Sequence, residues 1–183
     1  MTESQADPIS RVLSAATFAA ERHRDQRRKG KDASPYINHP LALASLLADR
    51  GERDPAVLMG ALLHDTVEDT ATSFQDLERS FGKEVADIVR EVTDDKSLPK
   101  AERKRLQIEH AAHLSRRAML VKLADKICNL RDLLVSPPTD WSLQRKREYF
   151  DWAKAVVDPM RGVHPDLEAM FDREYARKPR EPE

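Results

Sequence analysis

Leu62-Leu63-His64-Asp65-Thr66-Val67-Glu68-Asp69 is the stretch on which the reading of this chain turns. Ahead of it run Val57, Leu58, Met59 and Ala61, apolar residues suited to burial. Asp54-Pro55 reads as an N-cap followed by a first-turn proline, which predicts a helix carried from there through Asp69. With His64 set at zero, the helical turn puts Glu68 near ~40°, Asp65 near ~100° and Asp69 near ~140°. An imidazole and several carboxylates would then share one side of one helix. Carboxylates crowded beside a buried segment repel one another and are costly to desolvate, and a bound cation removes that penalty. The plainer alternative is a helix running out of the core, with Glu68 and Asp69 in solvent. The stretch by itself leaves both open.

Helical spacing continues on either side. Val12, Leu13, Ala16, Ala19, Ala20 and His23 predict a first helix from about Ile9 to Arg28. Pro35 and Pro40 bracket an extended entry, Pro35-Tyr36-Ile37-Asn38-His39, and a second helix follows through Leu47. Ser73 opens a short helix that Gly82 stops, and Val85, Ile88, Val89 and Val92 mark another. Further helices are expected from Pro99 to about His113, from Ala118 to Leu134, from an Asp140 cap through Val157, and after His164-Pro165. With only five glycines and no β-rich alternation, the prediction is an all-α, single-domain chain of about nine helices. Its core is expected over about residues 9–157, with a C-terminal helix and tail over 158–183. A length of 183 residues can bury a sizeable core as one domain.

Two further segments carry polar groups suited to chemistry. On the helix from Ala118 to Leu134, with Asp125 at zero, Asn129 falls near ~40°, Lys122 near ~60° and Asp132 near ~-20°. Leu120, Leu123, Ala124, Ile127, Leu130 and Leu134 fill most of the opposite side, and Arg131 intrudes on that apolar arc. Taken alone, the pattern reads more readily as a solvated stripe on an amphipathic surface helix. His39 lies between Asn38 and Pro40 at a helix entry. Together, His39, His64, Asp65 and Asp125 make a mixed imidazole and carboxylate set, which suits Mn, Fe or Zn better than Ca or Mg. The rival pair His110 and His113 sits among Arg103, Lys104, Arg105, Arg116 and Arg117 and reads as surface. The basic run Arg22 to Lys31 could grip phosphate through Arg28 and Lys29, or could be a solvated charge run.

Composition excludes several classes. Lys plus Arg total 31 against 32 for Asp plus Glu, a formal net charge of -1, so no broad nucleic-acid surface is expected. The single cysteine, Cys128, rules out an intrachain disulfide and reads as packing. Met1 to Pro8 lacks the apolar segment of a signal peptide, and no apolar run approaches a membrane span, so a cytoplasmic protein is expected. There is no phosphate-binding Gly-x-x-x-x-Gly-Lys loop, no Gly-x-Gly-x-x-Gly fingerprint and no His-Glu-x-x-His motif.

The ordered strings Arg28-Lys29, Pro35-Tyr36-Ile37-Asn38-His39-Pro40, Ala61 to Thr70, Val92-Thr93-Asp94-Asp95-Lys96 and Lys122-Leu123-Ala124-Asp125-Lys126 resemble the hydrolase domain of RelA/SpoT proteins. The resemblance spans roughly Phe18 to Val157 and is strongest to the small alarmone hydrolases, the metazoan type included. It implies a helical HD-domain fold and one Mn²⁺ per site, held by His39, His64, Asp65 and Asp125. Glu68 and Asp69 match the pair associated with the attacking water. Arg28, Lys29, Tyr36, Asn38 and Asn129 match positions lining the pocket of a guanine nucleotide alarmone. The implied reaction is hydrolysis of (p)ppGpp at the 3′-pyrophosphate. Alternatives are a related nucleotide phosphatase, for instance one acting on NADPH, and a non-catalytic nucleotide sensor. The stretch Gly30 to Ser34 is longer than in bacterial bifunctional enzymes, and Asp132 stands where many relatives carry a small hydroxyl residue. No synthetase region fits beside a complete hydrolase domain in this length, and no membrane or nucleic-acid partner is expected.

Overall fold

The computed structural model describes residues 7–180; the polar start over 1–6 and the tail over 181–183 lie outside the described residues. The helices are α1 (Pro8–Arg22), α2 (Asn38–Asp49), α3 (Pro55–Leu63), α4 (Thr66–Asp69), α5 (Phe74–Phe81), α6 (Lys83–Val92), α7 (Lys100–Ala111), α8 (Arg116–Val135), α9 (Leu143–Val157) and α10 (Pro165–Ala176). A 3₁₀ turn, Asp158–Met160, follows α9. Among the described residues the sole β-type pairing is an isolated bridge between Arg27 and Pro35. The fold is all-α, and with α3 and α4 taken together the helix number agrees with the sequence reading.

The helix starts follow from their caps. Asp54 accepts from the Ala56 N–H at 2.9 Å ahead of Pro55, and Ser73 and Asp76 form a reciprocal capping box. Gly82 closes α5 at φ 91°, a left-handed conformation that favours glycine. Ser142, rather than the expected Asp140, caps α9 by accepting from the Arg145 N–H at 3.1 Å.

Two further boundaries differ from expectation, each for a visible reason. The first helix ends at Arg22, not Arg28, because the basic run leaves it to pair with the segment ahead of α2. Arg28 N–H donates to Ser34 O at 2.9 Å, and Tyr36 N–H donates to Gln26 O at 3.1 Å. The helix expected to run through Asp69 breaks after Leu63. There His64 Nδ1 donates to Ala61 O at 2.8 Å and Thr66 Oγ1 donates to Leu63 O at 2.7 Å. Those carbonyls would otherwise serve the helical ladder, a competition typical of short polar side chains. The angular positions computed for Glu68 and Asp69 on one continuous helix are corrected accordingly.

Helix α3 is the central element, packed against α1, α2, α6 and α8, while α8 also meets α9 and α10. Leu62, Leu63, Leu120, Leu123, Ile127 and Leu130 are fully buried between them. The core extends beyond the expected limit, since Leu167 and Phe171 of α10 are fully buried as well. Arg131, the apparent misfit on α8, pairs with Glu174 of α10 at 2.8 Å, which brings a charge into an apolar arc with a partner. Among the described residues no helix is long and apolar enough to cross a membrane.

Packing of α3 on α6 depends on Gly60: a Cβ there would lie 2.6 Å from Ile88 Cγ2. Gly60→Ala should therefore destabilise the protein by about 1–3 kcal/mol, as overpacked cores do. Denaturant unfolding checks this, and the cost should shrink in an Ile88→Ala background, where the opposing methyl is gone.

Candidate metal and nucleotide site

The breaks at both ends of the α3–α4 turn determine where the chemistry sits. His39 enters at the start of α2, His64 and Asp65 lie at the turn between α3 and α4, and Asp125 projects from the middle of α8. The donor atoms of His39, His64 and Asp125 lie within 4.8 Å of one another and could hold a metal ion. Asp65 adjoins this group, with Oδ2 2.8 Å from His64 Nε2. Both histidines are buried, at 4 % and 5 % exposure.

The protonation pattern follows from the hydrogen bonds. Ala61 O can only accept, so His64 Nδ1 carries a proton and Nε2 faces the carboxylates. That Nε2 is a buried atom with no hydrogen-bond partner, as is His39 Nδ1. His39 Nε2 lies 3.2 Å from Asp125 Oδ1. Burial disfavours a charged His64, but Asp65 and Asp125 outweigh it and push its pKa up to about 9. Burial also acts to raise the Asp65 and Asp125 carboxyls, yet the neighbouring imidazoles, and Lys126 for Asp125, hold both well below the usual carboxylate range. The group is thus a mixed N/O donor set with both carboxylates ionised, in which a cation at His64 Nε2 would take the place of a proton. A divalent cation fits that set by charge and by donor chemistry.

The surrounding residues position the donors. Tyr36, buried, donates its hydroxyl to Asp65 Oδ2. Asn129 Nδ2 donates to Asp125 Oδ1 at 2.6 Å, and Lys126 Nζ lies 3.1 Å from Asp125 Oδ2 and 4.4 Å from the Trp152 ring centre. Arg28 bridges back from the loop, donating to Asn129 Oδ1 at 2.9 Å and Asp132 Oδ2 at 2.6 Å, with its guanidinium over the Tyr36 ring.

These groups line a cavity of about 150 Å³, together with Glu68, Asp94, Gln107 and Lys122. Glu68 accepts from the Asp94 N–H at 3.2 Å, and Arg103 approaches its other oxygen at 3.8 Å. Burial pushes the Glu68 carboxyl up; the Asp94 N–H pulls it back, while the nearby Asp65, Asp94 and Asp69 carboxylates push it further up. A larger open groove of about 670 Å³ runs along α1 beside Ile9, Leu13 and Phe81, and no candidate residue reaches it.

Of the residues singled out from sequence, Arg28, Tyr36, His39, His64, Asp65, Glu68, Asp125 and Asn129 meet in this one cavity. Asp69 does not line it: its carboxylate is held outside by Gln26 and Lys96. Lys29 and Asn38 are exposed and also lie off the cavity wall. The 30–34 stretch packs instead against the end of α8, where a Cβ on Gly30 would lie 2.3 Å from Ser136 O. The polar stripe of α8 is solvated at its Asp132 end only, since Lys122 is buried and donates to Val92 O at 2.9 Å. Sequence reading assigned no role to Lys126, Asp94, Gln107 or Arg103. For Lys126 a signal existed, a second lysine one turn after Lys122 on a mainly apolar helix. Asp94 stood in a string that carries the resemblance, while nothing local set Gln107 or Arg103 apart.

Comparison with known proteins agrees with this geometry. Residues 15–151 match the HD domain family. The chain is 57% identical over 165 residues to "Guanosine-3′,5′-bis(diphosphate) 3′-pyrophosphohydrolase MESH1" of Xenopus tropicalis, covering 90% of this chain and 92% of that protein. It is 54% identical over 160 residues to the protein of the same name from Homo sapiens, covering 87% and 89%. A solved structure described as "a metazoan ortholog of SpoT" that "hydrolyzes ppGpp and plays a role in starvation responses" superposes with a TM-score of 0.89 at 49% identity, covering 97% of this chain and 98% of that one. The chain belongs to the HD-domain family and, within it, to the guanosine-3′,5′-bis(diphosphate) 3′-pyrophosphohydrolases.

Proposed function

We propose that this chain hydrolyses the 3′-pyrophosphate of (p)ppGpp, giving GDP or GTP and pyrophosphate. The observation that carries the reading is the single cavity in which a metal-ready His and Asp set meets a carboxyl of raised pKa and an arginine fork. The 54–57% identity to proteins named for this activity supports it. Purified protein with Mn²⁺, offered ppGpp, pppGpp and NADPH and read by chromatography, should release pyrophosphate from the alarmones. Release of phosphate from NADPH, with the alarmones untouched, would overturn the assignment.

In this reading His39, His64, Asp65 and Asp125 hold one Mn²⁺, the mixed imidazole and carboxylate set favouring that ion over Mg²⁺. When bound, the ion supplies Lewis-acid polarisation of phosphate oxygen and lowers the pKa of water. Tyr36 keeps Asp65 oriented by its hydroxyl, and Asn129 and Lys126 do the same for Asp125. Glu68, its proton affinity raised by burial, accepts the proton of the attacking water, and Asp69 helps orient this end of the site. Arg28 turns its donors toward substrate phosphate, with Lys29 adding charge from the exposed side. The likeness to HD hydrolases argues against a sensor without catalysis, as does an intact Glu68.

His64→Ala or Asp125→Ala should lose bound metal and hydrolysis together. Elemental analysis decides: stoichiometric Mn in both variants means that the metal is held elsewhere. Glu68→Gln should keep metal and nucleotide binding while kcat falls by roughly 10²–10⁴-fold, the usual worth of general acid–base catalysis. Turnover near that of wild type would remove Glu68 from the chemistry. Arg28→Ala should depress hydrolysis far more than stability, because Asp132, one of its two partners, is half exposed and stays hydrated when the arginine is removed. Steady-state kinetics beside a thermal melt test this. A raised KM would indicate equal gripping of ground and transition states, and a reduced kcat would indicate contact with charge developing in the reaction.

A further inference from the structure

Asp69 is the acid that the cavity does not contain, and it is held more elaborately than an exposed carboxylate at the end of a single-turn helix requires. Lys96 pairs with its Oδ1, and Gln26 Nε2 donates to its Oδ2 at 2.9 Å. A carboxylate oxygen can only accept, so the amide nitrogen of Gln26 must face Asp69 and its carbonyl must face away. That carbonyl, Oε1, lies 2.6 Å from His23 Nδ1, which therefore carries the ring proton and donates. His23 is 1 % exposed, and its Nε2 is buried with no hydrogen-bond partner. The result is a directed chain, His23 N–H to Gln26 C=O and Gln26 N–H to Asp69, with the amide unable to flip without breaking both links.

The same short segment reaches the metal side of the site. Gln26 O accepts from the Tyr36 N–H at 3.1 Å, the His23 and Tyr36 rings lie 4.8 Å apart, and the Tyr36 hydroxyl donates to Asp65. One turn after α1 thus holds Asp69 through a side chain and, through Tyr36, the metal-side carboxylate Asp65. Neither His23 nor Gln26 lines the cavity itself.

We propose that Gln26 is a positioning residue for Asp69, locked in one amide orientation by His23. This rests on the alarmone hydrolase reading. Gln26→Met removes donor and acceptor at nearly constant volume and leaves the backbone bonds to Tyr36 in place. It should lower kcat about 10- to 100-fold, the scale of a small misplacement in an active site, with KM and bound Mn close to wild type and the melting temperature lowered only by the loss of the His23 partner. In an Asp69→Asn background the same change should cost little more, since residues acting through one another are not additive. His23→Phe should behave like Gln26→Met, and His23→Asn, whose amide N–H can stand in for Nδ1–H, should recover most of kcat. Long-range ¹H–¹⁵N spectra of wild-type protein should show His23 as the Nδ1–H tautomer. An Nε2–H tautomer, an unchanged kcat in Gln26→Met, or full additivity with Asp69→Asn would each overturn the proposal. If wild-type protein left (p)ppGpp intact, the functional reading would fail by itself, while the tautomer would still decide whether His23 locks Gln26.

Discussion

Burial of imidazoles and carboxylates in mutual contact, inside an apolar core, is the constraint around which this protein is built. Isolated charges in such a place are expensive, and they persist only where each is paired or shares a counter-charge. Here Asp65 takes a hydrogen bond from Tyr36, and Asp125 takes Asn129 and Lys126. What remains unmatched is the inward face of the histidine pair, with His64 Nε2 lacking a hydrogen-bond partner. That inward face, where His39, His64 and Asp125 converge, could hold a cation, which a buried ion-pair network alone would not.

The helix break at His64 is how the chain meets this constraint locally. An unbroken helix would carry Glu68 and Asp69 along a fixed spiral from His64. By giving Ala61 O and Leu63 O to side chains, the chain turns at Asp65, and the acids of α4 take separate directions. Glu68 faces the cavity under the Asp94 N–H, while Asp69 swings outward to Gln26 and Lys96. The turn thereby separates a carboxyl with raised proton affinity from one tied down by donors, although they are adjacent in the chain.

The all-α class, the caps at Asp54 and Ser73, the stop at Gly82, and the grouping of His39, His64, Asp65 and Asp125 could all be read from the sequence. These follow from local rules: apolar residues at helical spacing, side chains that satisfy the first free N–H groups, and donor types suited to one metal class. The end of α1, the break after Leu63 and the cap at Ser142 were decided instead by hydrogen bonds that compete with the simplest local reading. Arg131 looked misplaced until α10 supplied Glu174, and Lys122 looked solvated until α6 supplied the Val92 carbonyl.

By itself, then, the sequence determined which segments are helical and which residues offer metal-ligand donor types, because helix periodicity, capping and ligand type are properties of neighbours in the chain. Only the tertiary structure decided that Glu68 enters the cavity while Asp69 does not, that Arg28 is tethered to Asn129 and Asp132, and that Gln26 reaches Asp69. Each of the latter two contacts joins residues dozens of positions apart. Their distances depend on how α1, α3 and α8 pack, a balance of burial and hydrogen bonding over the whole core that no local pattern encodes.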